Sequence, residues 1–167
     1  MKISDIFGGR NDTYLTKYVI SGLCSPGFSA LNKLPMVSEI VCNRGAKMGV
    51  ILLVDDELTT KLILKSVLSQ AGKTVFTASD GTEALEEIRV REAVDIVITD
   101  INMPNMDGLE LTEELRKAGY LGKIIVISPE GANSIIGKKS FSLGADAVIE
   151  KPVLPEQLLS VIKEFES

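Results

Sequence analysis

Three aspartates, a serine and a lysine stand at or just past the ends of short apolar runs. Asp55 and Asp56 follow Val50-Ile51-Leu52-Leu53-Val54, and Asp100 follows Ile96-Val97-Ile98-Thr99. Ser128 follows the run at 123–127, and Lys151-Pro152 comes just after Ala147-Val148-Ile149. Clustered carboxylates repel one another unless a cation lies between them. Mg²⁺ suits such a cluster, because it prefers octahedral oxygen ligation and combines carboxylates with phosphate oxygens. Asp55, Asp56 and Asp100, with a main-chain carbonyl near Asn102, can supply that site. Asp100 then reads as a phosphoryl acceptor attacking in line. Lys151 would neutralise a phosphate oxygen, and the Ser128 hydroxyl would donate to another.

Each residue also has an ordinary reading. Asp56 could cap a helix, Ser128 could belong to a turn, Asn102 could form one, and Lys151 could be a solvated loop residue. What favours the chemical reading is their joint occurrence at successive strand ends. In a parallel sheet all those ends lie on one edge, where open α/β sheets place their chemistry.

The elements needed to build that edge are legible from residue 50 onward. Strands are expected at 50–54, 74–78, 96–99, 123–127 and 147–149. Between the first two, Leu64, Val67, Leu68 and Ala71 keep the spacing of one helix face, and Gly72 closes that helix. Asp80 and Glu83 form a capping box for a helix carrying Ala84, Leu85 and Ile88. Pro104 and Asp107-Gly108 stop the third strand and turn the chain. Asp107 and Glu110 form a second capping box for a helix lined by Leu111, Leu115 and Ala118. A weaker helix is expected over 132–143, closed by Gly144. Pro155 opens a last helix, with Leu158, Val161, Ile162 and Phe165 on one face. Five strands alternating with five helices predict a doubly wound parallel α/β sheet with right-handed crossovers. Continuous apolar strands fit a sheet buried on both faces.

Composition bounds the rest. The chain has 167 residues, 45% of them hydrophobic, enough for a sizeable core. It has no histidine, which excludes histidine-based catalysis, histidine metal ligation and a phosphohistidine of its own. The net charge of −5 argues against DNA as the partner. No apolar run approaches the roughly 18 residues of a membrane span, and Lys2 is not followed by a signal-peptide core. A cytoplasmic protein with Cys24 and Cys42 as free thiols is expected. Residues 1–47 carry six Lys/Arg and three Asp/Glu, whereas residues 48–167 carry twelve and twenty. Gly8-Gly9, Pro26-Gly27 and Pro35 break the first part into pieces too short to be stable alone, one with Tyr14, Leu15, Tyr18 and Val19, another with Phe28, Leu31 and Leu34. That part reads as a docking extension, a disordered tail or a segment outside the functional protein, ahead of a compact domain at 48–167.

Within 49–166 the motifs resemble the receiver domains of two-component response regulators, in style close to the single-domain chemotaxis regulators. They are Val-Asp-Asp-Glu at 54–57, Asp-Ile-Asn-Met-Pro-Asn-Met-Asp-Gly-Leu-Glu-Leu at 100–111, Ser-Pro-Glu at 128–130, Gly-Ala-Asp at 144–146 and Lys-Pro at 151–152. The resemblance implies a flavodoxin-like sheet in the order 2-1-3-4-5. It implies that Asp100 is the phosphorylated aspartate, that Asp55 and Asp56 hold Mg²⁺, and that Asn102 gives its main-chain carbonyl to the metal. Ser128 matches the switch hydroxyl and Lys151 the phosphate-binding lysine. The implied donor is a sensor histidine kinase or phosphotransfer protein. The implied output is altered binding to a downstream protein, with residues 132–150 and the last helix as the contact face by analogy.

The chain departs from that pattern at Val148, where the family often carries a mobile aromatic ring, and at Val153. A switch here is expected to use the loop after Ser128, stiffened by Pro129, and the helix at 132–143. The side chains of Asn102 and Glu130 resemble those that tune dephosphorylation, which predicts a phosphoaspartate of limited lifetime. Two other functions compete with the switch. One is a docking module that never takes phosphate. The other is a Mg²⁺-dependent phosphohydrolase with an aspartyl-phosphate intermediate, although such enzymes place Asp-x-Asp after the first strand and this chain has Asp55-Asp56-Glu57.

Overall fold

In a computed structural model the described residues are 49–91 and 93–167. The expectations for residues 1–47, including both cysteines and the two short apolar pieces, lie outside them. Five strands alternate with five helices. The strands are β1 (Val50–Val54), β2 (Thr74–Ala78), β3 (Ile96–Asp100), β4 (Lys123–Ser128) and β5 (Ala147–Glu150). The helices are α1 (Leu58–Gln70), α2 (Gly81–Val90), α3 (Gly108–Lys117), α4 (Ile135–Ser142) and α5 (Pro155–Phe165). All strand pairs are parallel, in the order β2-β1-β3-β4-β5.

Strand alternation divides the core in two. Ile51, Leu53, Ile96, Ile98, Ile125 and Ile127 face Leu64 and Leu68 of α1 and Leu158 and Ile162 of α5. Leu52, Val54, Val97, Ile124 and Val126 face the other way, onto Ala84 of α2, Leu111 and Leu115 of α3 and the half-buried Ile136 of α4. With apolar side chains on both faces, the strands read as continuous runs. That is why the sequence locates them so closely.

Local signals set the helix ends. Asp107 accepts from the N–H groups of Leu109 and Glu110, and Glu110 reaches back to the Asp107 N–H, the expected capping box. At α2 the expected box is only half formed. Asp80 accepts from the Glu83 N–H, but Glu83 reaches one residue further back, to the Ser79 N–H at 2.7 Å. The helix expected over 132–143 starts later, at Ile135, because Ser134 caps it through the Gly137 N–H. Ala71 and Ala118 end their helices exposed instead of lining the core.

The amino edge of the sheet, where the strands begin, is closed by long-range polar contacts. Asp146 accepts from Arg116 Nη2 at 2.7 Å, Lys123 Nζ at 2.8 Å and the Ile124 N–H at 2.9 Å. Arg116 also donates to the carbonyls of Gly144, Tyr120 and Gly122. Asp95 Oδ2 accepts from the N–H groups of Gly49 and Val50, both at 3.0 Å.

Candidate functional site

The opposite edge collects the candidate residues. Asp100 is the last residue of β3 and Ser128 the last of β4, while Asp55 and Lys151 are the first past β1 and β5. Asp55 and Asp100 are almost wholly buried, at 1% and 3% exposure. Asp56 is exposed beside them. Carboxylate oxygens of Asp55, Asp56 and Asp100 lie within 4.8 Å of one another.

Asp56 does not cap α1. The N-cap position is Glu57, whose side chain makes no cap hydrogen bond. Asp55 Oδ1 accepts from the Glu57 N–H at 2.7 Å, which orients the carboxylate. Its other oxygen, Oδ2, is buried without a hydrogen-bond partner among the described residues. Asp100 Oδ1 is in a similar position: Lys151 Nζ is 2.9 Å away, near enough for an ion pair but not aligned as a hydrogen bond. Charge attraction needs no alignment, whereas lone-pair satisfaction does. Burial pushes the Asp55 carboxyl up from its ordinary value. The Glu57 N–H opposes that rise, the charges of Asp100 and Asp56 add to it, and Lys151 partly offsets them. Buried lone pairs and mutual repulsion are both relieved by a hard cation, so these residues fit Mg²⁺.

The Ser128 hydroxyl oxygen is buried and accepts from the Glu130 N–H at 3.1 Å. Its own proton remains available to donate. The carbonyl of Ser128 accepts from the Lys151 N–H at 2.8 Å, tying the two strand ends together. The Lys151–Pro152 peptide bond is cis. Asn102 is exposed in the loop after β3, on the same edge. Gly108 lets α3 start close to the acceptor, since a Cβ there would come within 2.0 Å of the Asp100 carbonyl oxygen. Val148 is half-buried against the α2–α4 side of the sheet, where its short side chain leaves no ring to rotate.

The structure thus brings together Asp55, Asp56, Asp100 and Lys151, with Ser128 and Asn102 on the same edge. Sequence reasoning passed over Asn105. It has φ +60° and donates from Nδ2 to Asp80 Oδ2 at 2.7 Å. The available signal was an asparagine after Pro104, a residue that tolerates the left-handed region.

Comparisons with known proteins agree with this geometry. The response regulator receiver domain family matches residues 51–163. The chain is 36% identical over 135 residues to the sensor histidine kinase RcsC of Escherichia coli, spanning 80% of this chain and 13% of that protein. It is 41% identical over 115 residues to the probable transcriptional regulator ycf27 of Guillardia theta, spanning 68% of this chain and 43% of that protein. It therefore covers less than half the length of these curated relatives. Among solved structures, the chemotaxis response regulator CheY4 of Vibrio cholerae superposes with a TM-score of 0.64 at 32% identity, covering 70% of this chain and 98% of that one. A CheY-like receiver domain protein of Methanospirillum hungatei gives 0.65 at 33%, covering 71% and 94%. Among the described residues no helix is long and apolar enough to cross a membrane. With a matched domain, a matched fold and an acidic cluster at the carboxyl edge, this chain belongs to the response regulator receiver domains, the phosphorylation-based signalling modules of two-component systems.

Proposed function

We propose that the protein is a signalling switch that accepts a phosphoryl group on Asp100 from the phosphohistidine of a sensor kinase or phosphotransfer protein. Asp55, Asp56 and Asp100, with the main-chain carbonyl of Asn102, would hold Mg²⁺. When bound, the ion draws charge from the phosphoryl oxygens and screens the carboxylates from one another. A carboxylate oxygen of Asp100 forms the new bond to phosphorus as the bond from phosphorus to the donor's imidazole nitrogen breaks, and the departing ring takes a proton from solvent. Lys151, now beside the bare carboxylate, moves its charge to a phosphoryl oxygen. Ser128 donates its free proton to another.

The carrying observation is the pair of buried, unsatisfied carboxylate oxygens on Asp55 and Asp100 at one sheet edge. A carboxylate present only for stability would have its lone pairs met. Engagement of Ser128 would draw the 129–134 loop inward and alter the surface of α4 and β5. That surface is our candidate for contact with a downstream protein. Val148 favours a second reading, a docking module that works without phosphate. We also infer that residues 48–167 fold and react without 1–47, since the family match lies wholly inside them.

Intact mass after incubation with Mg²⁺ and a small acyl phosphate tests this. One phosphoryl group should be added to the full chain and to residues 48–167, and none to Asp100→Asn. Mg²⁺ binding without any phosphoryl transfer, from an acyl phosphate or a phosphohistidine protein, would favour the docking module. Repeated turnover of small phosphate esters would instead make it a phosphohydrolase.

A further inference from the structure

The loop from Ile101 to Asp107 follows the acceptor and contains Asn102. Ile101 is buried in the core and Met103 and Met106 pack against it, while Asn102, Pro104 and Asn105 are exposed. The position of its exposed middle is set by hydrogen bonds and by contacts with the start of α2. At its end, the Gly108 N–H donates to the Ile101 carbonyl at 2.9 Å. In its middle it is tied to the start of α2 at three points. Asn105 Nδ2 donates to Asp80 Oδ2 at 2.7 Å. The Gly81 N–H donates to the Met106 carbonyl at 3.2 Å. The Met106 side chain lies so close over Gly81 that a Cβ there would come within 2.6 Å of it.

Asp80 divides its two oxygens. Oδ1 caps α2 through the Glu83 N–H at 2.9 Å, and Oδ2 takes Asn105. A bond to a carboxylate is among the stronger hydrogen bonds. Asn105 reaches it from a backbone conformation with φ +60°, which asparagine adopts at a small cost and most other residues at a larger one.

The geometry points to Asp80 and Asn105 as positioning residues that fix the 101–107 loop against α2, and so hold the Asn102 carbonyl in register with Asp55 and Asp100 for the cation. This rests on the Mg²⁺ reading above. Neither residue touches the metal, and both act through the loop.

Two substitutions separate this role from plain stability. Asn105→Gly keeps the left-handed backbone and removes only the side-chain link. Asp80→Ser keeps a good helix cap but is too short to span to Asn105. Isothermal titration of the full chain with MgCl₂ should show binding weakened about five- to tenfold in each, the low end of coupling between sites. The double variant should be no weaker than the worse single, because both remove one link. Unchanged affinity in both variants, or losses that add in the double, would overturn the inference. Asp55→Asn serves as the reference: if it loses Mg²⁺ while Asn105→Gly binds like wild type, the metal site stands and the clamp does not. If wild type takes up no Mg²⁺, both fall.

Discussion

The two edges of this sheet treat their carboxylates in opposite ways. At the amino edge, Asp146 meets two cationic side chains and a backbone N–H, and Asp95 meets two backbone N–H groups. At the carboxyl edge, Asp55 and Asp100 are buried with one oxygen each lacking a hydrogen-bond partner among the described residues, and a third carboxylate lies against them. Both arrangements cost desolvation; the amino edge recovers it through aligned hydrogen bonds, whereas the carboxyl edge recovers only part of it, through the Glu57 N–H and the Lys151 charge. The amino edge therefore holds the fold, and the carboxyl edge keeps acceptors that no described residue satisfies. A receiver needs that division, because a pocket already satisfied would gain little by binding a cation and a phosphoryl group.

Breaking the amino edge should cost the most stability and leave the chemistry intact. Arg116→Ala removes donors to Asp146 and to three carbonyls at once, and leaves Asp146 with Lys123 and one N–H. We expect a loss of about 3 kcal/mol in urea unfolding, the scale for breaking a partly buried ion pair and leaving three bonded carbonyls without their donor. Below the unfolding midpoint, the folded variant should still take up one phosphoryl group. A loss of acceptor function without loss of stability would show that the edges are coupled and not divided.

The same subtraction at the carboxyl edge should act in reverse. Asp55→Asn removes one of the repelling charges and offers a donor where Asp100 presents an unmet acceptor. In Mg²⁺-free buffer the variant should be more stable than wild type by about 1 kcal/mol, as relief of functional-site strain commonly is. With Mg²⁺ at a hundred times its dissociation constant, wild type should gain about 2.7 kcal/mol by linkage. The variant should gain much less, so the order of stability inverts. Wild type remaining more stable without Mg²⁺ would mean that Asp55 is held by contacts as Asp146 is.

The sequence exposed these edges unequally. The carboxyl edge was legible because its residues sit at fixed offsets from apolar strands, so Asp55, Asp56, Asp100, Ser128 and Lys151 could be placed together by topology alone. The helix faces carried by Leu64, Leu68, Leu158 and Ile162 were legible through their spacing. The amino edge was not. Asp146 was visible only as part of a motif, and its partners Arg116 and Lys123 lie 30 and 23 positions away, where no local period connects them. The late start of α4 was missed because Ser134 competes for the cap of a weakly patterned helix. Asn105 was missed because its partner Asp80 is 25 positions away.

Asp80 sharpens the comparison, since it stands on the carboxyl edge but is treated like the aspartates of the other. The Glu83 N–H first, and Asn105 second, hold its carboxyl below the ordinary aspartate value of 3.8. Its folded pKa is thus lower than its unfolded one, and between the two the unfolded chain binds more protons. The stabilisation from ionised Asp80 is fully present above the unfolded value and is lost as pH falls through the folded value. Asp55 has the opposite shift, so its ionised form weakens the metal-free fold. Asp80→Asn keeps a helix cap without the charge. Wild type should exceed it by about 0.5 kcal/mol near neutral pH, a small effect because the site is solvent-exposed. That difference should begin to shrink as pH falls through the ordinary aspartate value and disappear only below the lowered folded value. A difference independent of pH would mean that the cap's geometry, and not its charge, holds the start of α2.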